Sequence, residues 1–256
     1  MNDEIIALTE GPSRGFLSNY VTILNAIKWL INDGYDGNNI FISPSMFSLY
    51  GNPINWFSDT KVLEPKGSKI LPSTIYCDNM DPWPTKDQVE LKKFSKYIPY
   101  NSRINLYLDN NLKNTTKSLG IHFRGTDHSM HVDRIPIEKY IEESVKEFQS
   151  NKYESIFIAT DEENIIEMFE NVFMGIQIIH NNTIKSKDKI TPLHKSYGAR
   201  TPKELIDLGD QVLLDSHSIS NCKKVICKTS NIINYARILN PELDVLYIDK
   251  NQSFRG

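Results

Sequence analysis

The 256-residue chain has little cysteine: Cys77, Cys222 and Cys227, odd in number and widely spaced. That excludes a disulfide framework or a thiolate metal site and points to a reducing compartment. Cys222 and Cys227 flank an apolar run and read as small buried thiols rather than nucleophiles. There is no long apolar run at the start. Met1-Asn2-Asp3-Glu4 is acidic and only Ile5-Ile6-Ala7-Leu8 follows, which fits neither a signal peptide nor a transmembrane segment, so a cytoplasmic protein is expected. Basic charge is not in excess. A formal charge of −3 and the lack of a basic stripe argue against a nucleic-acid partner. Lys185, Lys187 and Lys189 alternate in a polar stretch and read as a solvated loop, with phosphate contact as the alternative. The remaining composition is that of a folded chain, long enough for one large or two modest domains.

What is there gathers in one stretch, Leu119-Gly-Ile-His-Phe-Arg-Gly-Thr-Asp-His128. Residues 118–123 read as a buried strand that stops at Gly125, where a glycine backbone turns freely. In open parallel sheets ligands sit beyond the carboxyl ends of the strands, which would put His122, Arg124, Thr126 and Asp127 in a crevice. Arg124 is a permanent planar cation suited to phosphate, and Asp127 is close enough in sequence to hold it. A nucleoside diphosphate would fit. A structural ion pair is the alternative for a lone His-x-Arg. Against it, three of the six histidines fall between His122 and His131, beside Asp127, Asp133 and Arg134. A metal site of Asp127, His128, His131 and Asp133 is a further option, although no second ligand-dense segment completes it.

Along the chain, a strand at 5–8, the breaker run Thr9 to Gly15 and a helix at 17–32 make a strand, glycine loop and helix. Gly15 and the backbone N–H groups from Phe16 to Asn19 could meet an anion, or the loop could be only a tight connection. A strand is expected at 40–42. Residues 43–84 read as irregular, with Tyr50, Trp56, Phe57, Tyr76 and Trp83 among Asp59, Asp78 and Asp81; aromatic faces beside acids suit a sugar ring, or simply pack. Helices at 86–97 and 102–113 lead to the polar run 110–117, the expected domain boundary. Beyond the central motif, a helix opening at Pro136, strands at 153–159 and 176–180 and a helix at 163–173 predict a parallel sheet. Asp161-Glu162 ends the first of these strands.

On the helix opened by Thr201-Pro202, Leu205, Leu208, Val212, Asp215 and Ile219 share a face. A carboxylate on a buried stripe needs a partner: a cap, a salt bridge, or two adjacent N–H donors such as guanine N1–H and N2–H. A strand at 224–227 then runs through Lys228-Thr-Ser-Asn231 into a helix ending near Leu239. Ser230 and Asn231 mark either a plain cap or a second anion site. A last strand is expected at 243–248.

Gly120-Ile-His-Phe-Arg-Gly-Thr-Asp-His, Pro136-Ile-Glu-Lys-Tyr, Ile158-Ala-Thr-Asp-Glu, Leu214-Asp-Ser-His-Ser-Ile-Ser and Cys227-Lys-Thr-Ser-Asn resemble, in order, the motifs of the α-1,6-fucosyltransferases, in the wider GDP-fucose fucosyltransferase superfamily. Gly15-Phe-Leu-Ser-Asn-Tyr resembles that family's glycine loop. The resemblance implies an α/β, GT-B-like fold of two Rossmann-like lobes, with an acceptor-side lobe at 1–114, a GDP-sugar-binding lobe built on a parallel sheet at 115–250, and a tail at 251–256. It implies an inverting, metal-independent transfer of fucose from GDP-fucose to a glycan or glycolipid hydroxyl, with no cofactor. Arg124 would contact the β-phosphate and stabilise departing GDP, His122 the nucleotide, Asp215 guanine, and Ser230 and Asn231 the phosphates, with Gly15, Asn19, Asp127 and Asp161 completing the donor site. Asp133 would be the general base, with His131 as competitor. The sequence departs from the family pattern at Gly125, where a second arginine is usual, and at His128, where a lysine is. A catalytically silent nucleotide-sugar binder, or a transferase using another GDP-sugar, is the alternative. A metal-dependent GT-A enzyme is disfavoured because no isolated Asp-x-Asp follows a strand.

Overall fold

The computed structural model describes residues 4–9, 15–47, 50, 52–62, 66–72, 88–125, 135–186 and 200–248. The chain divides into two compact units, Met1–Asn111 with Arg200–Asp210, and Leu112–Ala199 with Gln211–Gly256. A linear division at 114/115 does not anticipate the return of residues 200–210 to the first unit.

In the first unit, β1 (Ile6–Thr9), β2 (Ile40–Ile42) and β3 (Lys69–Pro72) form a parallel sheet in the order β2-β1-β3. Ile6, Ala7 and Leu8 of the central strand are buried, and α1 (Phe16–Asn32) buries one apolar face from Phe16 to Leu30. β3 lies in the stretch read as irregular. Its sequence, Lys-Ile-Leu-Pro, lacks a strand pattern because it is an edge: Ile70 is 54% exposed, and a proline costs an edge strand no ladder bond. The expected helix at 86–97 is one turn, α2 (Gln88–Leu91), running into a 3-10 segment at Lys92–Tyr97; α3 (Ser102–Asn111) follows.

The sugar-stacking alternative fails for three of its aromatics. Tyr50, Trp56 and Phe57 are buried and pack with Phe16, Tyr20, Phe47 and Tyr100, the Phe16–Trp56 centroids 5.0 Å apart. They form the core of this unit, because large rings under short irregular segments supply the apolar area that three short strands cannot. Tyr76 and Trp83 lie outside the described residues. Trp56 Nε1 donates to Asp210 Oδ1 at 2.9 Å, and Arg103 grips the same carboxylate with two N–H groups at 2.7 and 2.9 Å.

The second unit carries β4 (Ser118–Phe123), α4 (Ile137–Ser150), β5 (Ser155–Thr160), α5 (Asn164–Val172), β6 (Gln177–His180), α6 (Pro202–Ser220), β7 (Lys224–Cys227), α7 (Asn231–Leu239) and β8 (Asp244–Tyr247). These agree with the sequence reading to within about two residues at each end. The five strands are parallel, in the order β6-β5-β4-β7-β8. Alternate residues serve opposite faces. Ile156 and Ile158 pack with Leu119, Ile121, Tyr140 and Phe169, whereas Phe157 and Ala159 pack with Ile219, Val225, Cys227 and Ile233. Both faces are covered, which is why β4 and β5 are unbroken buried runs. α6 contributes residues to both units, the division falling after Asp210. No helix among the described residues is long and apolar enough to cross a membrane.

Candidate functional site

In the second unit β4 is central, with β5 on one side and β7 on the other, so strand order reverses between β4 and β7. Loops leaving the carboxyl ends of two such strands diverge and leave a crevice. His122 and Cys227 are register partners there. His122, buried at the end of β4, meets the hydroxyl of Ser230 through Nδ1 at 3.3 Å. Ser230 is also the N-cap of α7, accepting from the Ile233 N–H at 3.3 Å. Asn231 is the first residue of that helix, so β4 and the α7 N-terminus are joined at the reversal. Lys228, Thr229 and Ser230 are all buried.

Arg124 is half-buried immediately beyond β4. The next backbone N–H, that of Gly125, donates to Asp161 Oδ1 at 3.0 Å. Asp161 stands one residue past β5. Gly125 is not in the left-handed region, where Gly34, Gly67 and Gly175 are found, so free turning is not why glycine is there. The reason is a close approach by Glu162.

Asp215 is buried on α6, and Asn181, the first residue beyond β6, donates to its Oδ1 at 2.8 Å and to Ser218 Oγ at 3.2 Å. The partner found within the chain is an amide, which the sequence reading did not name, with a lysine nearby. Burial pushes the Asp215 carboxyl up to about 6, against the opposing pull of Lys185 and of the Asn181 amide. Lys185 does not sit in a solvated loop. Its ammonium donates to the Thr160 carbonyl at the end of β5 and to Thr183 Oγ1, both at 2.6 Å. Burial lowers its pKa, while Asp215, Asp161 and Glu163 pull it back up. The loop is held by Gln211 Oε1, which accepts from the Ile184 N–H at 2.7 Å, and by the Ser186 N–H on the Asp161 carbonyl at 2.7 Å.

No protein-family model matches the chain, and no curated protein matches it in sequence. Solved structures do. The fucosyltransferase NodZ from Bradyrhizobium aligns over 98% of this chain and 98% of its own, with a TM-score of 0.57 and 13% identity. NodZ α-1,6-fucosyltransferase soaked with GDP-fucose aligns over 97% and 96%, also at 0.57 and 13%. The same enzyme co-crystallised with GDP aligns over 92% of each chain at 0.56 and 13%.

The fold is that of NodZ. Both parallel sheets that the GT-B-like expectation requires are present, and the NodZ likeness covers them together. At 13% identity the roles of single residues rest on local geometry. His122, Arg124, Asp161, Asp215, Ser230 and Asn231 all belong to the second unit, where His122 meets Ser230 and Asp161 meets the Gly125 N–H. Gly15 and Asn19 belong to the first unit, where Gly15 precedes α1. The Phe16 N–H there is not open to an anion, since it donates to the Tyr50 hydroxyl at 3.1 Å, and the Asn19 N–H is held by the Gly15 carbonyl at 3.1 Å. Asp127, His128, His131 and Asp133 lie outside the described residues. Two residues escape the sequence reading, Asn181 and Lys185. Asn181 directly follows the carboxyl end of β6, where the same rule that selects Arg124 applies, whereas the inward turn of Lys185, four residues further on, carries no local signal. Cys222 and Cys227 are buried as expected, and burial pushes the Cys222 thiol up to about 12, beyond useful nucleophilicity.

Proposed function

We propose that this chain is a GDP-fucose-dependent fucosyltransferase, inverting and metal-independent, acting on a hydroxyl of a glycan or glycolipid in the cytoplasm. The observation that carries the reading is the junction at the strand reversal. There Arg124 is two positions from His122, and His122 is hydrogen-bonded to the cap of α7. Breaking a sugar–phosphate bond leaves charge on the diphosphate, and a guanidinium and the first N–H groups of a helix are fixed donors for that charge. Asp215, with its second oxygen, would take the two N–H donors of guanine. Asn181 Oδ1, buried and without a hydrogen-bond partner among the described residues, adds an acceptor close to that carboxylate. The NodZ structures obtained with GDP and with GDP-fucose support this choice of donor. Asp133, or His131 in its place, would take the proton of the attacking acceptor hydroxyl. Asp127 remains part of the proposed donor site.

Calorimetric titration of GDP, GDP-fucose, GDP-mannose and UDP-sugars tests base and sugar in one series, and GDP release with an acceptor panel tests transfer. Guanine nucleotides should bind more tightly than uridine nucleotides, and turnover should survive a chelator. A preference for UDP, or loss of turnover on chelation, overturns the reading. One observation favours a second reading, a silent GDP-sugar binder: beside Arg124 a carboxylate fills the space that a second cationic side chain would need. Tight donor binding with no turnover on any acceptor would select it.

A further inference from the structure

Gly125 is confined by space. A Cβ built there would fall within the carboxylate of Glu162 and lie 3.1 Å from its Cγ. Glu162 is wholly buried, so that carboxylate has no solvent to swing into. Its main chain is held as well. The Glu162 N–H donates to Thr160 Oγ1 at 3.1 Å, the residue bridges to Ser186, and the Ser186 N–H donates to the preceding carbonyl, that of Asp161. Asp161 meanwhile accepts the Gly125 N–H. Two consecutive acids at the end of β5 therefore bear on one peptide at the end of β4, the peptide joining Arg124 to Gly125. One holds its N–H; the other fills the room of a side chain.

We propose that Asp161 and Glu162 are positioning residues for Arg124, acting through the 124–125 peptide, and that Glu162 makes glycine obligatory at position 125. The proposal rests on the reading of Arg124 as the diphosphate ligand. Asp161 then acts by accepting a backbone hydrogen bond and has no need of direct contact with the nucleotide. At positions 124 and 125 steric exclusion leaves room for one guanidinium, since an arginine at 125 fits only if the Glu162 side chain is moved or removed. A guanidinium displaced by about 1 Å from its oxyanion loses on the order of 100-fold in rate, which sets the scale of the effect.

The test is a double-substitution cycle on the full chain, read by melting temperature, GDP affinity and the kcat and KM of GDP release from GDP-fucose. Gly125→Ala should lower the melting temperature and weaken GDP binding roughly tenfold; in a Glu162→Ala background the same substitution should lose less than half as much on both scales. Additive losses overturn the steric pairing. If Gly125→Ala alone does not fold, a folded double variant supports the pairing and an unfolded one overturns it. Asp161→Ala should lower kcat by roughly 10- to 100-fold with a smaller change in KM. Asp161→Asn, which keeps a carbonyl oxygen for the Gly125 N–H, should recover most of that loss. If Asn is as poor as Ala, the acid acts through its charge and the positioning role is wrong. Should the unaltered protein bind no GDP, the donor reading fails, while the melting cycle still decides the 125/162 pairing.

Discussion

Arg124 and Asp215 carry the two charges on which the proposed chemistry turns, and their surroundings give them different signatures. Arg124 is half-buried past a strand end, so removing it should disturb chemistry more than folding. Arg124→Ala is expected to lower turnover on the order of 10²–10³-fold, with little change in melting temperature. Asp215 is the opposite case, an acid whose burial raises its pKa to about 6, above an unfolded value near 3.9. Between those values the folded state holds a proton that the unfolded state lacks. The resulting stability is present below about pH 4 and is lost as pH rises through about 6. Guanine recognition needs the ionised acid, so GDP affinity should rise with pH towards a plateau above about 6. Titrations from pH 5 to 8 check this. Lys185→Met removes a cation that lowers the Asp215 pKa, and should move the midpoint upward. Asp215→Asn buries no charge and should keep or raise the melting temperature while reducing the preference for GDP over UDP; equal loss of both nucleotides would count against the base assignment.

At the scale of elements, α6 makes a sharp test because two rules oppose each other at Gly209. In an exposed helix, Gly→Ala gains about 1 kcal/mol. Here a Cβ would lie 2.6 Å from Trp56 Cζ2, and that indole is fully buried with its N–H held by Asp210. Overpacking costs about 1–3 kcal/mol, so Gly209→Ala should lower the melting temperature despite the better propensity. The same contrast explains what the sequence made legible. β4, β5 and β7 are apolar runs closed by polar residues, and α6 and α7 announce themselves by Thr201-Pro202 and Ser230, so the second sheet and its functional edge could be read locally. β3 could not, because an edge strand of Lys-Ile-Leu-Pro carries no alternation. Nor could the inward turn of Lys185, the reason for Gly125, or the burial of Trp56. Each depends on a partner far away in sequence: Asp215 for the first, Glu162 for the second, Asp210 for the third. Patterning shows which face a residue belongs to; it does not show what stands opposite.

On the scale of the whole molecule, the NodZ likeness spans both parallel sheets, and the two units divide the work unevenly. The described candidate site residues fall on the second unit apart from Gly15 and Asn19. The first unit is the less regular, with a three-stranded sheet and a core of packed rings. It is also incomplete without residues 200–210. A fragment comprising residues 1–111 lacks Asp210, leaving the Trp56 N–H and one side of Arg103 without their acceptor, so it should not show the cooperative melting of the full chain. A sharp transition for that fragment, followed by circular dichroism, would show that the returning segment is dispensable.

That returning segment sets an order of events on the ribosome. At about 5–20 residues per second, roughly 5–20 seconds separate the emergence of residue 111 from that of residue 210. Throughout that delay the nascent first unit must hold its indole and guanidinium without their carboxylate. It becomes native only after β4, β5 and β6 have all been synthesised behind it, so the part of the chain made first is completed late.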